Sequence, residues 1–510
     1  MSQVAPGPGE GERLRRAAAE MRRQGRLGEA TRLLKRAVEL APRDPSGWTA
    51  LIDCVLADRR AALALEIAGA GLRALPDDGG LLCARARVCQ SLSQVEAARA
   101  DFERALALDG GNVAARLGLA LQAAEAGDWE GAEALAAPLS ADQSGSLSAR
   151  IALGRGEFET ARARADRLLA VAGLSPEQVA ETALLLGEAL DGLGRAPEAF
   201  QAFSRGKSAL RRLYAERAAG REREVDKLDR LAAWFQTDDP AMWREAAGGF
   251  GAQGPGVRAH VLLVGFPRSG TTLLEQALAG HPDLVALEEP PTFAEAYEEF
   301  LATPAGLARL SALTAAEAEY WRSVYWRVVG GHGADVAGKV FLDKAPAGTL
   351  YLPLVAKLFP EAKVLFAVRD PRDVVLSCFR QSFQINALTY AFTDLAETAR
   401  CYAAAMELAA VYREALPIQP IEVRYERLVD DFASELGRIA GVLGLELAPA
   451  MLDVAATASR RVVRTPSAPQ VRAGLNRRGL GRWRAYAAEL APVMPILAPW
   501  IERLGYGGAG

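Results

Sequence analysis

The chain is poor in the residues that most often announce a function by themselves. Its 510 residues include three histidines and five cysteines. No two cysteines form a C-x-x-C pair, so the spacing of a zinc site or disulfide framework is missing. Cys54, Cys83, Cys89, Cys378 and Cys401 are expected on helices, as buried thiols in a reducing compartment. No run of about 18 apolar residues occurs, which argues against a transmembrane helix. Neither sign of charge dominates: 60 Lys and Arg stand against 63 Asp and Glu, a formal net charge of −3. Such a balance carries no overall signature of nucleic-acid or membrane-surface binding. The opening residues are Gly- and Pro-rich and then charged, without the apolar core of a secretory signal. An Ala- and Arg-rich composition with few lysines points to a bacterial cytoplasmic protein.

What is present divides into two halves. In the first, Ala30, Ala64, Ala98 and Ala132 recur every 34 residues. Other columns keep the same period: Ala37, Gly71 and Ala105; Leu40, Ala74 and Leu108; Pro42 and Pro76. Small residues at fixed positions let paired helices approach closely. Gly156 to Ala161 and Gly194 to Ala199 continue the turn-then-alanine signature at altered spacing. The pattern resembles the tetratricopeptide repeat, and it predicts an all-α solenoid of five or six units over 13–213 behind a disordered tail, 1–12. The resemblance implies a concave surface that recruits a peptide or protein and supplies no chemistry of its own. Residues 214–256 read as a charged helical segment, Glu216 to Asp229, and then a Gly-rich linker, Ala247 to Gly256.

From Val257 onward short apolar runs alternate with helical patterns. Strands are expected at 261–264, 363–368 and 421–424, with amphipathic helices such as Tyr351–Leu358 and Glu397–Ala415 between them. This alternation predicts an α/β domain with a parallel sheet over 257–510, whose ligands sit at the carboxyl ends of the strands. The run Val261 to Val264 breaks at Gly265, passes Phe266-Pro267-Arg268-Ser269-Gly270 and enters a helix at Thr271-Thr272. Backbone N–H groups at such a helix start point at an anion. The pattern is close to a Walker A loop, but Thr271 stands where that motif needs lysine, and Arg268 lies inside the loop. A phosphate loop without the lysine that reaches β- and γ-phosphates suits a nucleotide other than a triphosphate. A second motif, Lys363 to Ser377, puts Arg369 at a strand's carboxyl end and Ser377 one turn into the next helix, which is expected to start near Asp373. A guanidinium and a hydroxyl there can converge on a second phosphate. Two cradles fit a nucleotide phosphorylated at both ends.

These motifs resemble those of the sulfotransferases, which use 3′-phosphoadenosine 5′-phosphosulfate (PAPS) as donor. The similarity is to the bacterial repeat-containing members and, more distantly, to the tyrosylprotein sulfotransferases. It rests on Pro267-Arg-Ser-Gly-Thr-Thr-Leu, His281-Pro-Asp, Glu288-Glu289, Asp343-Lys344-Ala-Pro, Arg369 with Ser377, Tyr425-Glu-Arg-Leu-Val, and Ser467-Ala-Pro-Gln-Val-Arg with Gly481-Arg-Trp. The resemblance implies that Glu289 is the base that deprotonates the acceptor hydroxyl, with Glu288 as the alternative. It implies that Arg268, Lys344 and Ser467 stabilise the leaving phosphate. Pro267, Arg268, Ser269, Gly270, Thr271 and Thr272 would hold the 5′-phosphate, and Arg369, Ser377, Tyr425, Ser467 and Arg482 the rest of the nucleotide. Trp483 is read as packing or as a wall of the adenine site. No metal is implied.

Cytosolic small-molecule sulfotransferases use a histidine base, and His332 is the loop candidate for one. His281 is expected to cap the phosphate-loop helix, and His260 to precede the first strand as an incidental residue. Two positions depart from the tyrosylprotein enzymes, Gln381 and Pro291, where those enzymes carry arginines for the 3′-phosphate and the acidic acceptor peptide. Arg380, Arg464, Arg472, Arg477 and Arg478 are left as a basic acceptor rim. The reading is a PAPS-dependent sulfotransferase acting on protein tyrosine, its repeat array recruiting the acceptor, so that deleting 1–213 should raise the acceptor KM. The alternatives are a glycan, lipid or small-molecule hydroxyl as acceptor, a repeat scaffold with an inert nucleotide domain, and a P-loop kinase.

Overall fold

The computed structural model describes residues 9–507 apart from 59, 93, 238–242, 244–253 and 462–473. By internal packing the chain forms two units: residues 1–178 with 188–194, and residues 179–187 with 195–510.

The first unit is helical throughout. Its pairs run Glu10–Arg23 with Leu27–Leu40, Pro45–Ala57 with Ala61–Ala74, Gly79–Ser91 with Val95–Leu108 and Val113–Ala126 with Trp129–Ala136. Shorter helices Leu147–Gly154 and Phe158–Leu169 follow. The alanine column is the packing seam: Ala30, Ala64, Ala98 and Ala132 are all fully buried. A second column repeats with the same period and sets where helices begin. Asp44, Asp78 and Asn112 are N-caps whose side chains accept from the backbone N–H of Ser46, Leu81 and Ala115. Each satisfies a donor that the first helical turn leaves over. The five cysteines are buried free thiols on helices of both units.

The second unit holds a five-stranded sheet in the order β2-β3-β1-β4-β5. The strands are β1 (Ala259–Gly265), β2 (Leu284–Glu288), β3 (Val340–Lys344), β4 (Lys363–Val368) and β5 (Ile421–Arg424). Every pairing is parallel. Strand β2 escapes a sequence reading because Leu-Val-Ala-Leu-Glu has good helix formers; it is an edge strand that pairs only with β3. His260 lies within β1 rather than ahead of it, buried, with Nε2 2.8 Å from the Tyr325 hydroxyl. Burial pushes its pKa down to about 3.

Helices Ala196–Ala218 and Glu224–Thr237 are separated by a break, so Glu216 to Asp229 is not one helix. Helix Ala196–Ala218, counted with the repeats in the sequence, packs within the second unit, against helix Pro371–Arg380. Phe200 meets Phe379, and the Arg380 guanidinium lies 5.0 Å from the Phe203 ring centroid. Lys207, buried, donates to the Gln381 carbonyl oxygen at 2.7 Å. A deletion of 1–213 would therefore strip side chains from behind a helix of the sheet unit. The Gly-rich linker falls mostly outside the described residues.

Candidate functional site

The anion loop is built from β1 outward. Gly265 and Gly270 take positive φ at 155° and 97°, and neither tolerates a side chain. A Cβ on Gly265 would lie 2.7 Å from the Ala367 carbonyl oxygen, and one on Gly270 would lie 2.5 Å from the Tyr425 ring. Between them Arg268 sits in the left-handed region at φ 72°, and the helix Thr271–Leu278 starts directly after. Ser269, Thr271 and Thr272 are buried at that helix start.

The loop and the second motif meet in one place. Arg268 Nε donates to Ser377 Oγ at 2.9 Å, and Arg369 Nη1 donates to the Arg268 carbonyl oxygen at 2.9 Å. Arg369 follows the end of β4 as expected. Ser377 lies in helix Pro371–Arg380, which begins two residues before Asp373 with Asp370 as its cap. The Arg369 guanidinium lies 4.6 Å from the Tyr425 ring centroid, at the end of β5, and also donates to the Gly479 carbonyl oxygen. Its Nε is buried without a hydrogen-bond partner. Burial, and then the neighbouring Arg369, pull the Arg268 pKa down to about 10. A partly buried guanidinium, Arg268, beside a buried one, Arg369, makes a place where an anion relieves repulsion.

Residues after 473 cover this cluster. Asp373 accepts from the backbone N–H of Gly481 at 2.8 Å and of Trp483 at 2.9 Å. Arg372 stacks 3.8 Å from the Trp483 ring centroid, so Trp483 packs on the helix that carries Ser377. Arg482 opens the short helix Arg482–Tyr486 beside it. Ser467 lies outside the described residues, as do Arg464 and Arg472. Arg477 pairs with Asp430, and Arg380 lies over the Phe203 and Tyr486 rings.

A second cluster forms where β2 and β3 end side by side, Glu288 in register with Lys344. Lys344 is fully buried, its Nζ 2.8 Å from Glu289 Oε1, 3.3 Å from Glu288 Oε1 and 3.7 Å from Glu275 Oε2. Burial alone would lower the Lys344 pKa, but Glu275, Glu289 and Glu288 raise it above the ordinary value. Glu289 is, among the described residues, the other non-glycine residue with a left-handed backbone, at φ 52°, fixed by its N–H donating to the Lys344 carbonyl oxygen at 2.8 Å. Its side chain keeps 46% of its surface exposed, so a reactant can reach it. Strain of this kind gathers at working sites. Behind the pair, Asp343 accepts from Thr292 and Tyr325 hydroxyls, each at 2.8 Å. This buried relay anchors the turn after Glu289 and was not legible in the sequence.

The histidines stand apart from this pair. His332 is the C-cap residue of helix Ala315–Gly331, exposed, in the loop that leads to the amino end of β3. His281 accepts from the Asp283 N–H at 3.0 Å, turning the chain into β2 instead of capping the loop helix, whose C-cap is Ala279. Among the described residues no three His, Cys, Asp or Glu side chains are grouped to hold a metal ion.

A parallel sheet whose central strand runs through a tight loop into a helix start puts that loop at the carboxyl end of the strands, where ligands of α/β domains sit. Residues 260–449 match the sulfotransferase family, and residues 11–54 match the tetratricopeptide repeat. The chain thus carries a sulfotransferase-family domain together with tetratricopeptide-type helices. An uncharacterised protein of Aquifex aeolicus is 28% identical over 266 residues, 48% of this chain and 33% of that protein. The chain therefore spans about a third of that relative's length. A Caenorhabditis briggsae protein named "Putative protein-tyrosine sulfotransferase" is 26% identical over 255 residues, 48% of this chain and 88% of that one. Among solved structures, the sulfotransferase domain of a Synechococcus olefin synthase aligns over 46% of this chain and 97% of its own, at 20% identity and a TM-score of 0.28. Among the described residues no helix is long and apolar enough to cross a membrane.

Proposed function

We propose that this protein is a PAPS-dependent sulfotransferase whose acceptor is a tyrosine hydroxyl on a peptide or protein recruited by the repeat helices. The observation that carries the donor half is the meeting of Arg268, Ser377 and Arg369 at the carboxyl ends of β1 and β4. The fit is chemical: the buried Arg369 guanidinium, with an unpartnered Nε, and the partly buried Arg268 stand beside a helix start lined by Ser269, Thr271 and Thr272. Pro267 to Thr272 would hold the 5′-phosphate. Arg369, Ser377 and Tyr425 would hold the remainder, with Arg482 and Ser467 from the C-terminal stretch. The missing Walker lysine disfavours a kinase.

The donor supplies a sulfuryl group on a phosphate oxygen. The acceptor hydroxyl gives its proton to Glu289, its oxygen bonds to sulfur, and the bond from sulfur to the phosphate oxygen breaks. Lys344 and Arg268 neutralise charge on the departing phosphate. The exposed carboxylate of Glu289 beside a buried lysine supports the base assignment, with Glu288 as the less accessible alternative. The tyrosine acceptor draws support from the name of the Caenorhabditis relative. The recruiting role draws on the repeats, where an open cavity of about 600 Å³ is lined by Arg15, Arg22, Thr49, Asp53 and Asp78.

Calorimetric titration with adenosine 3′,5′-bisphosphate, beside ATP and AMP, tests the donor site. Preferential binding of the bisphosphate is expected, and Arg369→Ala should weaken it by about 1.5–3 kcal/mol, the range of a charged hydrogen bond. Equal or absent binding of all three would overturn the reading. Sulfuryl transfer from PAPS to a tyrosine peptide, against a free small phenol, tests the acceptor; a preference for the phenol would move the reading to a small-molecule enzyme.

A further inference from the structure

We propose that Glu275, on the helix that follows the anion loop, is a positioning residue that anchors Lys344 while Glu289 acts on the acceptor. This rests on the sulfotransferase reading above. Thr271–Leu278 is buried along its whole length, and Glu275 is its one charged residue, with no exposed surface. Its Oε2 lies 3.7 Å from Lys344 Nζ and its Oε1 lies 3.3 Å from Arg461 Nη1. Neither carboxylate oxygen has a hydrogen-bond partner.

That combination is informative. A buried carboxylate kept only for packing takes hydrogen bonds inside the core, because leaving them unmade is costly. Replacing a buried ion pair by apolar residues is often neutral or stabilising, so the pair is weak evidence of a stability role. Glu275 instead stands at ion-pair range from two cations that serve different ends. Arg461 also donates to the Ala286 carbonyl oxygen at 2.7 Å, on the strand that ends in Glu288. Lys344 reaches Glu288 and Glu289 at shorter range, 3.3 and 2.8 Å. Burial pushes the Glu275 carboxyl up from the usual range, and Lys344 and Arg461 pull it back.

The three carboxylates around Lys344 come from two places. Glu288 and Glu289 leave the end of β2 together, whereas Glu275 comes from the loop helix. When Glu289 takes a proton, its hold on Lys344 weakens. An ammonium held only from the β2 side would then be loose at the moment the leaving phosphate needs it. A carboxylate fixed on the loop helix keeps Lys344 beside the donor loop throughout.

The test compares wild type, Glu275→Gln and Glu275→Asp in the full chain. Melting temperature, calorimetric affinity for adenosine 3′,5′-bisphosphate, and kcat and KM with PAPS and a tyrosine peptide are measured for each. Glu275→Gln should leave bisphosphate affinity within about threefold while kcat falls by about 10²-fold, the scale of a misplaced catalytic group. Glu275→Asp, which keeps the charge, should recover part of kcat. Wild-type kcat in Glu275→Gln, whatever its melting temperature, would overturn the proposal. So would a loss of bisphosphate affinity as large as the loss of kcat, since Glu275 would then serve donor binding. If Glu275→Gln does not fold, Glu275→Asp decides: a reduced kcat at unchanged bisphosphate affinity supports the role, and wild-type kcat overturns it. A wild type that neither binds the bisphosphate nor transfers sulfuryl would fail the functional reading and this inference together. An active wild type with an indifferent Glu275→Gln fails the inference alone.

Discussion

The repeat unit and the sheet unit bury different things. Among the described residues, the repeat unit's buried polar side chains are Thr31, Asp101 and Ser144, and its interior is otherwise alanine, leucine and other apolar residues. Apart from the buried Asp101, which pairs with Arg85, its charges lie mostly in short-range surface helix pairs such as Arg26 with Glu29 and Arg162 with Glu159, which contribute little to stability. The sheet unit keeps Glu275, Asp343, Lys344, Arg369 and Asp373 out of water. Holding a charge in the interior is expensive, so a structure retains it where the charge is used. The contrast separates a unit whose interior is almost wholly apolar packing from one whose interior holds a cluster of charges.

The sharpest way to break this contrast is Glu289→Gln. It should lower kcat by about 10²–10⁴-fold, the usual worth of a general base, with bisphosphate affinity intact. Bisphosphate binding lost with kcat retained would remove Glu289 from the role of base. Next in size is Lys344→Met. It strips the shared cation from Glu275, Glu288 and Glu289, and breaking a buried pair costs about 3–5 kcal/mol, here mostly through the buried Glu275. Denaturant unfolding measures this, and a cost near zero would mean that the acids are relieved some other way.

Asp343 gives a pH-dependent test. Burial pushes its carboxyl up from 3.8 to about 6, against hydrogen bonds from Tyr325 and Thr292 and the charge of Lys344. The native state then holds the proton more tightly than the unfolded chain. Its contribution to stability is whole below pH 3.8 and is lost as the pH rises through 6. Asp343→Asn stays uncharged, so its stability relative to wild type should climb across that window by about 2–3 kcal/mol and then level off. A flat difference would show that Asp343 is not a buried acid of this kind. The smallest effect belongs to the repeat unit. Asn112→Ala removes an N-cap and should cost about 1 kcal/mol of stability. Bisphosphate affinity should not change, and a change would contradict the division of labour.

Much of this was legible because it is local. The alanine columns announce the repeat, since a helix pair that packs closely must place small residues at one fixed spacing. The loop from Gly265 to Thr272 and the Arg369 and Ser377 spacing announce two strand–turn–helix units, since a strand, a tight turn and a helix start are all short-range events. The sequence did not show that Arg268 reaches Ser377, because the two are 109 residues apart and meet only when β1 and β4 pair. Strand β2 was missed for a related reason. Its residues favour a helix, and pairing with β3 overrides that preference.

Glu275 stood in plain view as the charged residue of an apolar helix, yet nothing local says which cations it meets. The Asp343 relay and the place of helix Ala196–Ala218 were likewise invisible. The sequence by itself determined the two kinds of architecture and the strand–loop–helix turn at Gly265 to Thr272, because periodicity and turn chemistry act over a few residues. Only the tertiary structure decided which charges share an interior. Parallel strands bring distant chain segments side by side, and the energy of a buried charge depends on what surrounds it in space, not on its neighbours along the chain.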